Sequence, residues 1–217
     1  NLAKLVTGSE GTLAVTLELK LNLEPLPKFK SVVVVHFAEL LEAIRAVQPM
    51  LPYKPSAIEI IDRTVLRLSA ENLMTKQLCY FVENDPAAIV EFYGDTQESV
   101  VERPQEMISS LKQQGLGYAY PIFSAGKEFD DVWNLRKKGL GLMMGIKGEK
   151  KALSFIEDAA IPTEVLPEYI DQVLKICAKH NTEVSVYAHA SVGVIHVQPL
   201  LDLRDAQDIV NLKNITD

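Results

Sequence analysis

Two short alternating runs separated by four residues constrain this chain most. Val184, Val186 and Ala188 alternate with Ser185, Tyr187 and His189, and after Ala190-Ser-Val-Gly193 the pattern resumes as Val194-Ile-His-Val-Gln198. Period-two alternation marks a strand with two unlike faces, and so short a link makes the pair a β-hairpin. In a hairpin with a four-residue loop His189 faces Val194 and His196 faces Tyr187, so the imidazoles are same-face diagonal neighbours roughly 7 Å apart and each can lean inward. They are two of only four histidines. The spacing alone admits two readings: hydrogen-bonded structural histidines on a half-exposed sheet, or a pair sharing one metal or one substrate anion. No cysteine lies nearby, and a third ligand is missing from the run.

The other strands and helices follow from the same periodicities. Leu13, Val15, Leu17, Leu19, Leu21 and Leu23 alternate with polar or small residues, which predicts a strand with one buried face, ended by Pro25 and Pro27. A boundary at residue 27 follows, with residues 1–27 the end of an upstream domain and 28–217 a second domain truncated at its C-terminus. Strands are expected at residues 31–36, 57–61, 77–82, 88–93, 118–123 and 152–159, and helices at 38–50, 62–69, 97–114, 127–142, 167–179 and from 203 onward. Alternating strands separated by helices of three to five turns predict an α+β fold, an antiparallel sheet with helices packed on one face in a ferredoxin-like pattern. The chain begins without Met, inside a strand-like segment, and ends in what reads as an unfinished helix, as a piece of a longer protein would.

Composition narrows the function classes. With 217 residues, 47% hydrophobic and 24% charged, the chain can bury a large core. A net charge of -7 without a Lys/Arg block argues against nucleic-acid binding. Cys79 and Cys177 read as buried thiols of a reducing compartment. No apolar run approaches the roughly 18–20 residues of a membrane span, and no signal peptide is expected. A cytoplasmic setting is expected, with peripheral membrane attachment of the full-length protein left open.

Near the N-terminus, Thr7-Gly-Ser-Glu-Gly-Thr12 offers a tight glycine turn with hydroxyls and amides for polar groups, but has neither the P-loop nor the dinucleotide-fold spacing. Arg136, one turn beyond Trp133, carries the planar fork that engages a carboxylate through two parallel hydrogen bonds, and it can equally be a solvated helix arginine beside Lys137 and Lys138. Glu157 and Asp158 suit acid-base or ligand roles, or Asp158 stabilises a turn. Lys147, Lys150 and Lys151 read as a solvated loop, and His36 and His180 as structural.

Together these motifs resemble one family. Leu5-Val-Thr-Gly-Ser-Glu-Gly-Thr-Leu13 followed by Pro25-Leu-Pro27, then Pro55-Ser-Ala-Ile-Glu-Ile-Ile-Asp-Arg63, Trp133-Asn-Leu-Arg136, Phe155-Ile-Glu-Asp158 with Ile161-Pro162, and the His189–His196 run are similar to FAD-linked 2-hydroxy-acid oxidoreductases of the D-lactate dehydrogenase and glycolate oxidase flavin-subunit type. The resemblance spans essentially the whole chain and implies a C-terminal substrate-binding cap. It further implies FAD contact near Gly8, Ser9, Glu10, Gly11 and Thr12, a divalent metal such as zinc on His189 and His196, and a substrate-carboxylate arginine at Arg136. The family's further metal ligand, in a downstream Glu-His-Gly segment, lies beyond residue 217.

Departures are visible as well. Ser191-Val-Gly-Val194 replaces a more polar Gly-Asp-Gly-Asn, and Leu140 stands where many members have Thr. The Ala-Ser-Val-Gly form resembles members fused to a C-terminal iron-sulfur module. The implied reaction is oxidation of a small 2-hydroxy acid by hydride transfer to FAD. His196 is then the base candidate, because an imidazole titrates near neutrality, and a metal on the same nitrogen competes with that role. The alternative is a non-catalytic module that docks an iron-sulfur electron-transfer partner. As an isolated piece the chain is expected neither to retain FAD nor to turn over.

Overall fold

The computed structural model describes residues 1–81 and 85–217. Its centre is one antiparallel sheet. Strands β1 (Phe29–His36), β2 (Ala57–Ile61), β3 (Ala87–Gly94), β4 (Ile122–Ser124), β5 (Lys151–Ala152), β6 (Ile156–Ala160), β7 (Val184–His189) and β8 (Val194–Leu201) lie in the order β4-β1-β3-β2-β7-β8-β5, with β6 also paired to β8. The first four strands, with helices between β1 and β2 and between β3 and β4, form the expected βαββαβ unit. The hairpin joins it through β7, which pairs Glu59 with His189 and Ile61 with Tyr187.

Alternation gives the sheet two different faces. Val33, Val35, Ile58, Ile60, Val186, Ala188, Ile195 and Val197 point into one core, covered by α2 (Leu40–Arg45), α3 (Val47–Met50), α5 (Ser99–Gln113) and α7 (Leu166–Lys179). The antiparallel sheet with packed helices is as expected, but the helices are not confined to that face. Val32, Val34, Ile61 and Ile89 enter a second core with Val65 and Leu66 of α4 (Arg63–Glu71) and Phe129, Val132 and Leu135 of α6 (Lys127–Met144). Those two helices pack on this second face. Along the hairpin it carries Tyr187, His189 and His196.

Several local expectations differ. Residues 13–23 form no strand, and Leu17 and Leu23 are 94% and 88% exposed. Alternation supplies the pattern of a strand but not its partner, and among the described residues none pairs with this segment. The chain starts not in a strand but in a short helix, α1 (Leu2–Thr7). Lys76–Phe81 is a 3₁₀ turn rather than a strand, its backbone satisfied locally by bonds such as Leu78 N to Thr75 O, while Leu78 and Phe81 bury into the second core. Val82, the last residue of that expected strand, lies outside the described residues.

The final helix, α8, runs Ala206–Thr216, and the helix expected over residues 38–50 is divided at Ala46 into α2 and α3.

Candidate functional site

The site begins with the turn that joins the hairpin strands. Gly193 closes the Ala190–Val192 3₁₀ turn with φ 71°. Its amide donates to Ala190, its carbonyl accepts from the Ile161 amide at 2.8 Å, and a Cβ there would lie 1.8 Å from the Ile161 oxygen. Only glycine serves both the left-handed backbone and the close approach. Beyond it the register is the expected one, His189 opposite Val194 and His196 opposite Tyr187.

The imidazoles do lean together, their centroids 5.2 Å apart and the rings nearly perpendicular. Each is held through Nδ1 by its own carboxylate. His189 Nδ1 lies 2.7 and 2.9 Å from the two oxygens of Glu59, and His196 Nδ1 lies 2.8 Å from Glu157 Oε1. An ionised carboxylate only accepts, so each Nδ1 carries the proton and donates it, which leaves Nε2 of a neutral ring with its lone pair.

Arg136 arrives from α6. Its Nε donates to Glu59 Oε2 at 2.9 Å, its Nη2 lies 2.8 Å from the same oxygen as an ion pair, and both side chains are nearly buried. The guanidinium also lies 5.0 Å from the Tyr187 ring centroid, and Tyr187 stacks on His196 at 4.3 Å. Burial, with the Glu157 charge adding to it against the opposing Arg136, pushes the Tyr187 phenol up to about 12. Glu91 lies on the same face beneath α6. Burial raises its carboxyl, and the Tyr93 and Trp133 side chains oppose the shift.

A bulge in β6 explains the acidic side of the site. The β6–β8 register shifts between Ile156 and Ala159, and Asp158 takes φ 54°. Bulges redirect side chains, and here both Glu157 and Asp158 reach His196, the latter at 3.3 Å. Donor atoms of Glu157, Asp158 and His196 lie within 4.8 Å of one another. One guanidinium, two imidazoles and three carboxylates therefore meet in this site, and Glu157, Asp158 and His196 are the group that could hold a cation.

Arg136, His189 and His196 thus come together from residues identified in the sequence. Glu59 and Tyr187 were missed as site residues. For Glu59 the signal was a lone carboxylate inside Ala57-Ile-Glu-Ile-Ile61, and for Tyr187 the register that sets it opposite His196. The turn at residues 8–12 is exposed and lies on its own backbone: the Ser9 and Thr12 hydroxyls donate to Val6 O and Ser9 O. A cavity of about 750 Å³ lies elsewhere, between α4, the loop after α6 and the base of the hairpin, without the histidines on its wall.

Comparison with known proteins places this geometry in context. Residues 26–217 match the family described as "FAD linked oxidases, C-terminal domain". The chain is 31% identical over its whole length to a D-2-hydroxyglutarate dehydrogenase of Escherichia coli, covering 22% of that protein. It is 23% identical over 96% of its length to the glycolate oxidase subunit GlcD of Bacillus subtilis, covering 43% of it. The chain therefore spans less than half the length of either relative. Among solved structures, 4-ethylphenol oxidase from Gulosibacter chungangensis superposes with a TM-score of 0.60 at 12% identity, over 89% of this chain and 43% of that one, a likeness of fold.

Proposed function

Because the chain belongs to the FAD-linked oxidase C-terminal domain family, we propose that it forms the substrate-side cap of an FAD-dependent dehydrogenase acting on a small 2-hydroxy acid. The observation that carries this reading is the convergence of Arg136 with two imidazoles whose Nδ1 atoms are both held by carboxylates. That pattern is the one by which proteins orient metal-binding histidines, and it suits a divalent ion such as zinc on the two Nε2 atoms. Such an ion lowers the pKa of a coordinated hydroxyl.

Arg136 binds the substrate carboxylate. Glu59 accepts from Nε and pairs with Nη2, and the remaining N–H groups of the guanidinium form the fork that receives the anion. His196 has a single nitrogen outside its bond to Glu157. With zinc bound it is a ligand, and without zinc it takes the hydroxyl proton. Tyr187, stacked on His196 and under Arg136, keeps these two groups at a fixed separation.

FAD supplies the hydride acceptor in the full-length protein. The fit of this chain to it is limited. The turn at Gly8, Ser9, Glu10, Gly11 and Thr12 brings a carboxylate and internally bonded hydroxyls, which suits close backbone approach at the open Gly11 rather than a phosphate cradle.

The test uses the full-length protein with D-2-hydroxyglutarate and D-lactate as probes. Arg136→Lys is expected to raise KM at least tenfold for any substrate turned over, and His189→Ala to lower the zinc content below half of wild type. Unchanged kinetics in the first variant and unchanged zinc in the second would remove the reading.

A further inference from the structure

We infer that Glu59 is a positioning residue that couples the anion-binding and cation-binding halves of the site, because one carboxylate holds Arg136 and His189 at the same time. The inference rests on the reading above and goes beyond it, since Arg136 and His189 there act on different ligands.

Glu59 interrupts an apolar strand, and its side chain is only 9% exposed. A carboxylate so placed needs compensation, which Arg136 alone would supply. Yet Oε2 accepts from Arg136 Nε, pairs ionically with Nη2 and lies 2.9 Å from His189 Nδ1, while Oε1 lies 2.7 Å from the same imidazole nitrogen. Three elements meet there: β2 supplies the carboxylate, α6 the guanidinium and β7 the imidazole.

Two consequences follow from the donor geometry. The bond to Nδ1 sets the His189 tautomer, so Nε2 is directed to the cation only while the Glu59 carboxylate is in place. The bond to Nε and the ion pair with Nη2 set the rotation of the guanidinium, which decides where its remaining N–H groups point. Neither half can be re-aimed without moving the carboxylate on which the other depends. A residue of merely structural importance would harm both functions independently, whereas a shared acceptor makes the two losses separable by partner.

The experiment measures zinc affinity of the metal-stripped full-length protein by titration, and KM for D-2-hydroxyglutarate or D-lactate, whichever is turned over. Glu59→Gln is expected to weaken zinc by about 10- to 100-fold and to raise KM. In an Arg136→Ala background, with KM measured at saturating zinc, Glu59→Gln should still weaken zinc but no longer change KM, because its effect on the anion runs through Arg136. Zinc affinity within twofold of wild type in Glu59→Gln, or KM losses that multiply in the double variant, would overturn the coupling. His189→Ala separates the two hypotheses: zinc retained there removes the metal reading itself, whereas zinc lost there but kept in Glu59→Gln removes only the role of Glu59. Glu59→Asp keeps the charge and withdraws it by one methylene, and it carries the same test if the Gln variant does not fold.

Discussion

The Tyr187 ring stacks on the His196 imidazole, centroids 4.3 Å apart and planes 22° from parallel, so the phenol that faces Glu157 also forms one wall of the histidine pair. The position of His196 therefore depends on an aromatic neighbour as well as on its carboxylate.

That stack carries a pH signature. Desolvation pushes the Tyr187 phenol up to about 12 from its ordinary 10. A group with a raised native value contributes its stability below the unfolded value and loses it as pH rises through the native one, so the loss is confined to the window between about 10 and 12. In an absorbance titration at the phenolate band, Tyr187→Phe should remove a component that ionises near the top of that window. Loss of an early-titrating component instead would contradict it.

Asp62 joins the cap of α4 to β7. Its Oδ1 accepts from the Val65 amide, and its Oδ2 accepts from Ser185 Oγ and the Val186 amide at 2.8 and 2.9 Å. Asp62→Ala removes a helix cap and strands buried donors, at a cost of roughly 2–4 kcal/mol. Denaturant unfolding measures it, and a change under 1 kcal/mol would show that the bonds are replaced by water.

Gly193→Ala combines a left-handed φ of 71° with a Cβ 1.8 Å from the Ile161 oxygen. Strain of this kind costs about 1–3 kcal/mol or more. A lower Tm is expected, together with weaker zinc binding, since the turn sets the histidine register. A variant with wild-type zinc affinity would separate the turn from the site.

Leu17→Ser and Ile60→Ala test where the core lies. Leu17 is 94% exposed and Ile60 fully buried, so the first should change the stability of this chain by less than about 0.5 kcal/mol and the second by about 2–5 kcal/mol. Comparable losses in both would mean that residues 13–23 pack in solution.

Much of this was legible because it is local. Alternation and loop length between Val184 and Gln198 set the hairpin and its register, and the 3.6-residue periodicity marked α5, α6 and α7 near their observed ends. The strand expected over residues 13–23 had the same quality of pattern and is absent, since a strand is completed by a neighbour that no local pattern encodes. Burial was misleading in a similar way at residues 77–81, where an apolar stretch satisfies its backbone in a 3₁₀ turn.

The sequence by itself determined that two histidines would share one face of a hairpin, and that an arginine helix with a carboxylate-binding fork was available. What only the tertiary structure decided is the carboxylate between them. Glu59 stands 77 residues from Arg136 and 130 from His189, and it reaches both because β2 pairs with β7 while α6 packs across the same face. Strand order and helix placement answer to the burial of two cores, so a contact that depends on both has no signature along the chain.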